Sequence, residues 1–325
     1  MSASGAFGDL ARKGLTMPDD LLPSWRPGAT RDAVVDFLDA VLEVPSEERV
    51  ACFDNDGTLW CERPTYVQFD FFVDALKSAV RAEPGLGETP EFAALLSGDH
   101  AAMGDLGLER IALALTSLFE GISPEEFTGR VRAFMADARH PTLLRPLHSN
   151  TYAPMLELAD ELRRREVTVT IVSGGGTEFL RAVSQQLYGV PPEAVVGTLI
   201  GYELSRGEDG GPRLLRTGRP AGAANEGAAK VSNIQGQLGR RPLLVAGNSG
   251  GDREMLEWAA AGSGPSLALL VNHDDAEREF AYVSTAETFA EPEPITDVGA
   301  RLGWTVVSMA QDWETVFAPL EPATQ

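Results

Sequence analysis

Two aspartates separated by a single residue, Asp54 and Asp56, stand in the run Phe53-Asp54-Asn55-Asp56-Gly57-Thr58-Leu59. On an extended segment, side chains two apart point the same way. The two carboxylates would then lie about 5 Å apart, and at an effective dielectric of 20 their repulsion is roughly 3 kcal/mol. A bound cation, a shared proton or both must offset it. By itself a DxD pair has a bland reading, an Asx-rich turn closing a strand.

Three further segments carry chemistry. Ser173-Gly174-Gly175-Gly176 combines a hydroxyl with unhindered backbone N–H groups before a helix, the makings of an anion cradle. Lys230 is one of three lysines, with Lys13 and Lys77, in a chain that has 24 arginines, so a lysine there asks for a reason. In Gly247-Asn248-Ser249-Gly250-Gly251-Asp252, amide and carboxylate oxygens four residues apart can face one cation, and hard oxygen donors suit Mg²⁺. Taken singly each is weak, since Gly-rich turns and surface lysines are common.

The elements that must position these residues are legible from periodicity. ATRDAVVDFLDAVLEV (29–44) repeats apolar residues at helical spacing, with Thr30 expected as its N-cap. RVACFDND (49–56) is a short apolar run ending in acids, which suits a buried parallel strand delivering side chains at its C-terminal end. Residues 66–140 hold helical patterns and no strand; SPEEFTGRVRAFMADA opens with Ser123-Pro124 and has Glu126 at capping-box spacing. Alternation follows. VTVTIVSG (167–174), RPLLVAGNS, SLALLVNH and WTVVSM read as strands, with helices between them, and AVVGTLIGYEL (194–204) reads as a strand pair or hairpin arm. Such alternation means a parallel sheet covered by helices on both faces.

Composition narrows the partners. The chain has 325 residues, 43% apolar and 23% charged, ordinary for a soluble globular protein. A formal net charge of −21 and a pI near 4.6 argue against nucleic acid or an anionic membrane as partner. No run reaches the roughly 18 apolar residues of a membrane span, and the first residues hold no continuous apolar stretch of a secretory signal. A cytoplasmic location is expected. Cys52 and Cys61 imply no disulfide framework, and His100, His140, His148 and His273 show no metal-ligand spacing.

In their order, FDNDGT, IVSGGG, the lysine of EGAAK and AGNSGGD resemble the four motifs of the haloacid dehalogenase superfamily. The resemblance implies an α/β fold, a Rossmann-like doubly wound parallel sheet with a helical cap domain inserted after the first motif. Domains are then expected as a flexible lead-in (1–30), a core (31–64 and 148–325) and a cap (65–147). It also implies a Mg²⁺-dependent phosphatase acting on a small phosphorylated metabolite. Asp54 would be the nucleophile and become an aspartyl phosphate. Asp56 would protonate the leaving oxygen and then deprotonate water. Ser173 and Lys230 would hold the phosphoryl oxygens, helped by the Gly174 and Gly175 amides. Mg²⁺ would be held by Asp54, the Asp56 carbonyl and Asn248, with Asp252 directly or through water. Haloacid dehalogenases lack the second acid, so Asp56 disfavours dehalogenation.

The wide spacing of the first two motifs and the strand pair before Lys230 look like the phosphoserine-phosphatase-like branch. That branch carries a Glu shortly after the first motif, and Glu62 stands one position early. Its cap carries an Arg for the substrate carboxylate where this chain has Leu118, leaving Arg63 and Arg110 as candidates. Trp60, Phe69, Phe71 and Phe72 could line an apolar substrate pocket or form the cap's own core. Asn248 replaces the usual acid; on charge alone Asn248→Asp is expected to tighten Mg²⁺. Two other classes share the motifs: a phosphotransferase passing the group to an alcohol, and a non-catalytic phosphate-binding module, which could have lost an acid that this chain keeps.

Overall fold

The computed structural model describes residues 21–285, 293–318 and 320. In chain order α1 (Ala29–Ala40) precedes β1 (Val50–Phe53). A helical stretch follows, α2 (Val67–Ala82), α3 (Pro90–Ser97), α4 (His100–Leu106), α5 (Leu108–Ser117) and α6 (Pro124–Asp137). Alternation begins with α7 (Ala153–Arg164), β2 (Thr168–Gly176), α8 (Thr177–Tyr188) and β3 (Val195–Thr198). β4 (Ile200–Arg206) and β5 (Pro212–Pro220) form a separate antiparallel pair. Then come α9 (Ala228–Leu238), β6 (Leu244–Gly247), α10 (Arg253–Ala260), β7 (Leu267–Asn272), α11 (Ile295–Leu302), β8 (Thr305–Ser308) and the short α12 (Met309–Asp312).

Six strands pair in parallel in the order β3-β2-β1-β6-β7-β8. The order reverses between β1 and β6, and ligands of open α/β sheets bind outside the carboxyl ends of the strands at such a point. β1 shows why the sheet is covered twice. Ala51 and Phe53 pack with Leu38, Leu158 and Phe179 of α1, α7 and α8. Val50 and Cys52 face the other way, with Ile234, Met255 and Val298 of α9, α10 and α11. Side chains alternate with a period of two, so a strand buried on both faces is apolar throughout. Full burial of a side chain such as Phe53 contributes about 1.5–3 kcal/mol. This is the doubly wound sheet expected from the sequence.

The helical stretch between β1 and β2 has its own apolar cluster, with Leu76, Phe92, Leu95, Ile111 and Leu115 at its centre. It is also continuous with the core, because Phe71 packs on Phe119 and Phe127 and reaches Phe179 of α8. The β4–β5 hairpin ties in from outside, with the Arg216 guanidinium 3.7 Å from the centre of the Phe127 ring. No described helix is long and apolar enough to cross a membrane.

Several local expectations need correction. Ser123 does cap α6, accepting from Glu126 N at 3.2 Å. Thr30, however, lies inside α1; Gly28 is the N-cap, with no side-chain bond. The run 194–204 divides at Leu199. Buried Val195 and Val196 join the core sheet, whereas the exposed residues after it pair with β5, whose arginine-rich sequence had hidden it. Residues 1–20 of the expected lead-in lie outside the described residues. Residues 21–30 are packed rather than loose, because Leu21, Leu22 and Trp25 are buried and Trp25 meets Trp313 edge-on at 6.2 Å.

Candidate active site

Asp54, Ser173 and Asn248 stand at the carboxyl ends of the three adjacent strands β1, β2 and β6. The Asp54 amide donates to Ala246 O at 2.8 Å, which fixes the height of its side chain against β6. Lys230 enters from α9 and is only 2% exposed. Its Nζ donates to Asp54 Oδ1 at 2.6 Å, to Asp252 Oδ1 at 2.6 Å and to Val172 O at 3.1 Å. An ammonium has three protons, and here each has a partner. A flat guanidinium could not make three such converging contacts from one nitrogen, which supplies the reason for a lysine in an arginine-rich chain.

Burial, the charge of Asp252 and that of Asp56 push the Asp54 carboxyl well above its ordinary range, against the lowering effect of Lys230. Burial alone would lower Lys230, but Asp252 and Asp54 hold it above its ordinary value. Asp252 has both oxygens engaged: Oδ1 takes Lys230, and Oδ2 accepts from Asn248 N and Ser249 N at 3.0 Å each. Asn225 sets the approach of α9, with Nδ2 donating to Ser173 O at 2.9 Å and Val196 O at 3.2 Å.

After Asp54 the chain turns sharply, and the Asn55 carbonyl accepts from Leu59 N at 2.8 Å. Gly57 sits in the left-handed region, with φ 75°. A Cβ there would lie 2.0 Å from Asn248 Nδ2, so the turn and the neighbouring loop both require glycine. Asp56 is half-buried, and burial raises its carboxyl despite the bond from Trp60 Nε1 to Oδ1 at 2.8 Å. Its other oxygen faces Gly175. A Cβ on Gly175 would meet Gln68 Oε1 at 2.9 Å, Ser173 Oγ at 3.2 Å and Asp56 Oδ2 at 4.0 Å. Three side chains from three segments thus converge on the open side of that glycine. The Gly175 amide donates to Ser173 Oγ at 3.0 Å, and the Gly176 amide to Gln68 Oε1 at 2.8 Å.

The structure brings Asp54, Asp56, Ser173, Gly175, Lys230, Asn248 and Asp252 into one cluster, whereas the open side of Gly174 faces Glu226 and its carbonyl accepts from Thr198 Oγ1 at 2.7 Å; several proposed substrate contacts are also reassigned. Trp60 is 1% exposed and packed on Phe179 and Tyr188, so it anchors Asp56 and lines no pocket. Phe71 is core, and Phe69 and Phe72 pack against the cluster of the helical stretch. Arg110 pairs with Glu91 away from the cluster. The Arg63 guanidinium stacks over Tyr282, 4.3 Å from the ring centre. Glu62 is 6% exposed and accepts from Tyr282 Oη at 2.7 Å and Asn248 Nδ2 at 3.2 Å; burial pushes its carboxyl up to about 7. Gln68, Asn225, His273 and Tyr282 were missed from the sequence. Only Gln68 offered a signal, a polar residue in the first turn of an aromatic-rich helix.

A family model of haloacid dehalogenase-like hydrolases matches residues 51–257, well over half of the chain. The chain belongs to that family. No curated protein matches. Among solved structures, a protein of unknown function from Bordetella pertussis is 18% identical, with 80% of this chain and 98% of that one covered and a TM-score of 0.49. A phosphoserine phosphohydrolase-like protein from Francisella tularensis is 14% identical, covering 78% and 99%, with a TM-score of 0.36. A probable phosphoserine phosphatase from Vibrio cholerae is 16% identical, covering 80% and 66%, with a TM-score of 0.39.

For a haloacid dehalogenase-like hydrolase the implied metal is Mg²⁺, and the donor chemistry fits it. Among the described residues no three acidic, histidine or cysteine side chains converge tightly enough to hold a cation alone. The ligands that the resemblance implies, Asp54, the Asp56 carbonyl and the Asn248 amide oxygen, would make a hard and sparse oxygen set such as Mg²⁺ takes alongside water. Three aspartates against one ammonium also leave excess negative charge in the buried cluster.

Proposed function

We propose that this hydrolase is a phosphatase, of the phosphoserine-phosphatase-like branch, that transfers the phosphoryl group of a small phosphate ester to Asp54 and then to water. The observation that carries the reading is the Lys230 bridge between Asp54 and Asp252, with Asp56 two residues away and facing the Ser173-Gly174-Gly175 turn. Lys230 restrains the upward push that burial, Asp252 and Asp56 exert on Asp54, and so favours the carboxylate form that acts as nucleophile. An Asp54 oxygen attacks phosphorus as the bond to the ester oxygen breaks. Asp56, whose burial favours the protonated form, gives its proton to that leaving oxygen. Water then attacks the aspartyl phosphate, Asp56 takes the water proton, and phosphate departs with Asp54 regenerated.

Ser173 Oγ and the amides around Gly175 serve the phosphoryl oxygens, Gln68 yielding the Gly176 amide when substrate enters. Lys230 reaches a phosphoryl oxygen by exchanging one of its three present partners. Mg²⁺ held by Asp54, the Asp56 carbonyl and Asn248 would supply positive charge against an approaching dianion. Asp252 acts by holding Lys230 and the 247–252 loop. Residues 65–147 act as a cap over this edge of the sheet.

Phosphate release from a panel of phosphorylated metabolites with Mg²⁺ tests the reading. Release by wild type and none by Asp54→Asn is expected; hydrolysis that survives Asp54→Asn would sink it. Substrate turnover that requires an added alcohol, with the phosphoryl group recovered as that alcohol's ester and not as free phosphate, would make the enzyme a phosphotransferase.

A further inference from the structure

Glu62 was expected to meet substrate, yet its carboxylate is turned inward. Oε1 accepts from Tyr282 Oη at 2.7 Å and from Asn248 Nδ2 at 3.2 Å. Asn248 Nδ2 also lies 3.3 Å from Ser284 Oγ. With the amide nitrogen committed to these two acceptors, Asn248 Oδ1 is turned the other way, towards Thr58 Oγ1 at 3.4 Å and the turn that carries Asp56. An asparagine amide has an oxygen face and a nitrogen face of nearly equal shape, so something must decide which one the site sees.

The acceptor is itself held rigidly. Tyr282 N donates to His273 O at 3.0 Å, and the Tyr282 ring stacks on His273 with centroids 4.4 Å apart. His273 Nε2 lies 2.9 Å from Gly57 O, and Nδ1 lies 3.3 Å from Glu279 Oε2. His273 and Glu279 are 2% and 5% exposed. A buried polar chain thus runs from Glu279 through His273 and Tyr282 to Glu62, and ends on the Asn248 amide.

We propose that Glu62 is a positioning residue that fixes the Asn248 amide with its oxygen presented to the metal, and that Glu62 and Asn248 form an interlocked acceptor–donor pair. The proposal rests on the reading of Asn248 as a Mg²⁺ ligand. It reverses what charge alone suggests for Asn248→Asp, because the new carboxylate would stand where the amide nitrogen now meets Glu62, 3.2 Å away. The extra negative charge that should attract Mg²⁺ would be set against a neighbour of the same sign. Exchanging both residues, Glu62→Gln with Asn248→Asp, restores one donor and one acceptor with the roles swapped.

The test is calorimetric titration of Mg²⁺ into the metal-free full-length protein without substrate, with thermal unfolding of each variant as the check on folding. Losing the acceptor that orients the amide is expected to weaken Mg²⁺ in Glu62→Leu on the order of tenfold or more. Tyr282→Phe, which removes one hydroxyl, is expected to weaken it less. Asn248→Asp alone is expected to bind no tighter than wild type, and the double exchange tighter than Asn248→Asp alone, with its melting temperature partly restored. Wild-type affinity in folded Glu62→Leu, or strictly additive effects of Glu62→Gln and Asn248→Asp on Mg²⁺ affinity, overturns the proposal while leaving the metal reading intact. No Mg²⁺ uptake by wild type overturns the metal reading itself, and the proposal with it.

Discussion

Lys230→Met probes the centre of the cluster. Nζ lies 2.6 Å from an oxygen of Asp54 and 2.6 Å from one of Asp252, at 2% exposure. Taking the ammonium away leaves two buried carboxylate oxygens no more than about 5 Å apart; at an effective dielectric of 20 their repulsion is roughly 3 kcal/mol. Removing one partner of a buried ion pair costs about 3–5 kcal/mol, and the two figures describe one loss. Against a total stability of about 5–15 kcal/mol the deficit is large and measurable. Urea unfolding of metal-free wild type and variant, followed by circular dichroism, reads it. The pH dependence has a definite sign. Asp54 already has its folded carboxyl raised, by burial, Asp252 and Asp56, and Lys230 is what restrains it. A raised acid binds its proton more tightly in the folded state, so its favourable contribution is present at low pH and lost as pH rises through the raised value. Without Lys230 that value climbs further, and the deficit should grow with rising pH and shrink on acidification. A deficit under about 1 kcal/mol, the range of exposed ion pairs, or one that grows as pH falls, would refute the account of the bridge.

Four other outcomes follow from the same geometry. Lys230→Arg is expected to lose turnover nearly as completely as Lys230→Met, since the wider fork cannot make three converging contacts from one atom; wild-type kcat in the arginine variant contradicts this. Asp54→Asn is expected to lower turnover by on the order of 10⁴-fold or more while keeping or raising the melting temperature, because an ionised carboxylate is disfavoured at that buried position; a lower melting temperature argues otherwise. Gly57→Ala, at φ 75° and with its Cβ 2.0 Å from Asn248 Nδ2, should cost at least the roughly 1–2 kcal/mol of a left-handed residue and weaken Mg²⁺ as well; unchanged urea unfolding and Mg²⁺ titration would exclude the close approach. In metal-free protein Glu62, pushed up to about 7, should make stability fall as pH rises from its ordinary 4.5 through 7, and Glu62→Gln should flatten that slope; identical slopes in urea unfolding count against it.

The sheet, and the residues gathered at its carboxyl edge, were legible in the chain's own pattern. Apolar runs ending abruptly in Asp54, in Ser173 and in Asn248 can only be buried strands that deliver polar groups at one edge, and their order in the chain carried the family resemblance. Lys230 was legible through the scarcity of lysine, and Ser123 through its capping spacing. Side-chain direction was not legible. Whether Glu62 faces substrate or core depends on Tyr282, 220 residues away in the chain, and no local pattern encodes that pairing. Trp60 looked like a pocket residue because an exposed and a buried tryptophan have the same letter; only Phe179 and Tyr188 packed against it decide the matter. The same holds for Gln68, whose bond to the Gly176 amide spans 108 residues, and for the division of 194–204, where burial against β2 rather than propensity separates β3 from β4. Strand ends and turn glycines are set by local chemistry, which sequence records. The orientation of an amide or a carboxylate in a buried cluster is set by which distant donor reaches it, and that is fixed only when the chain closes on itself.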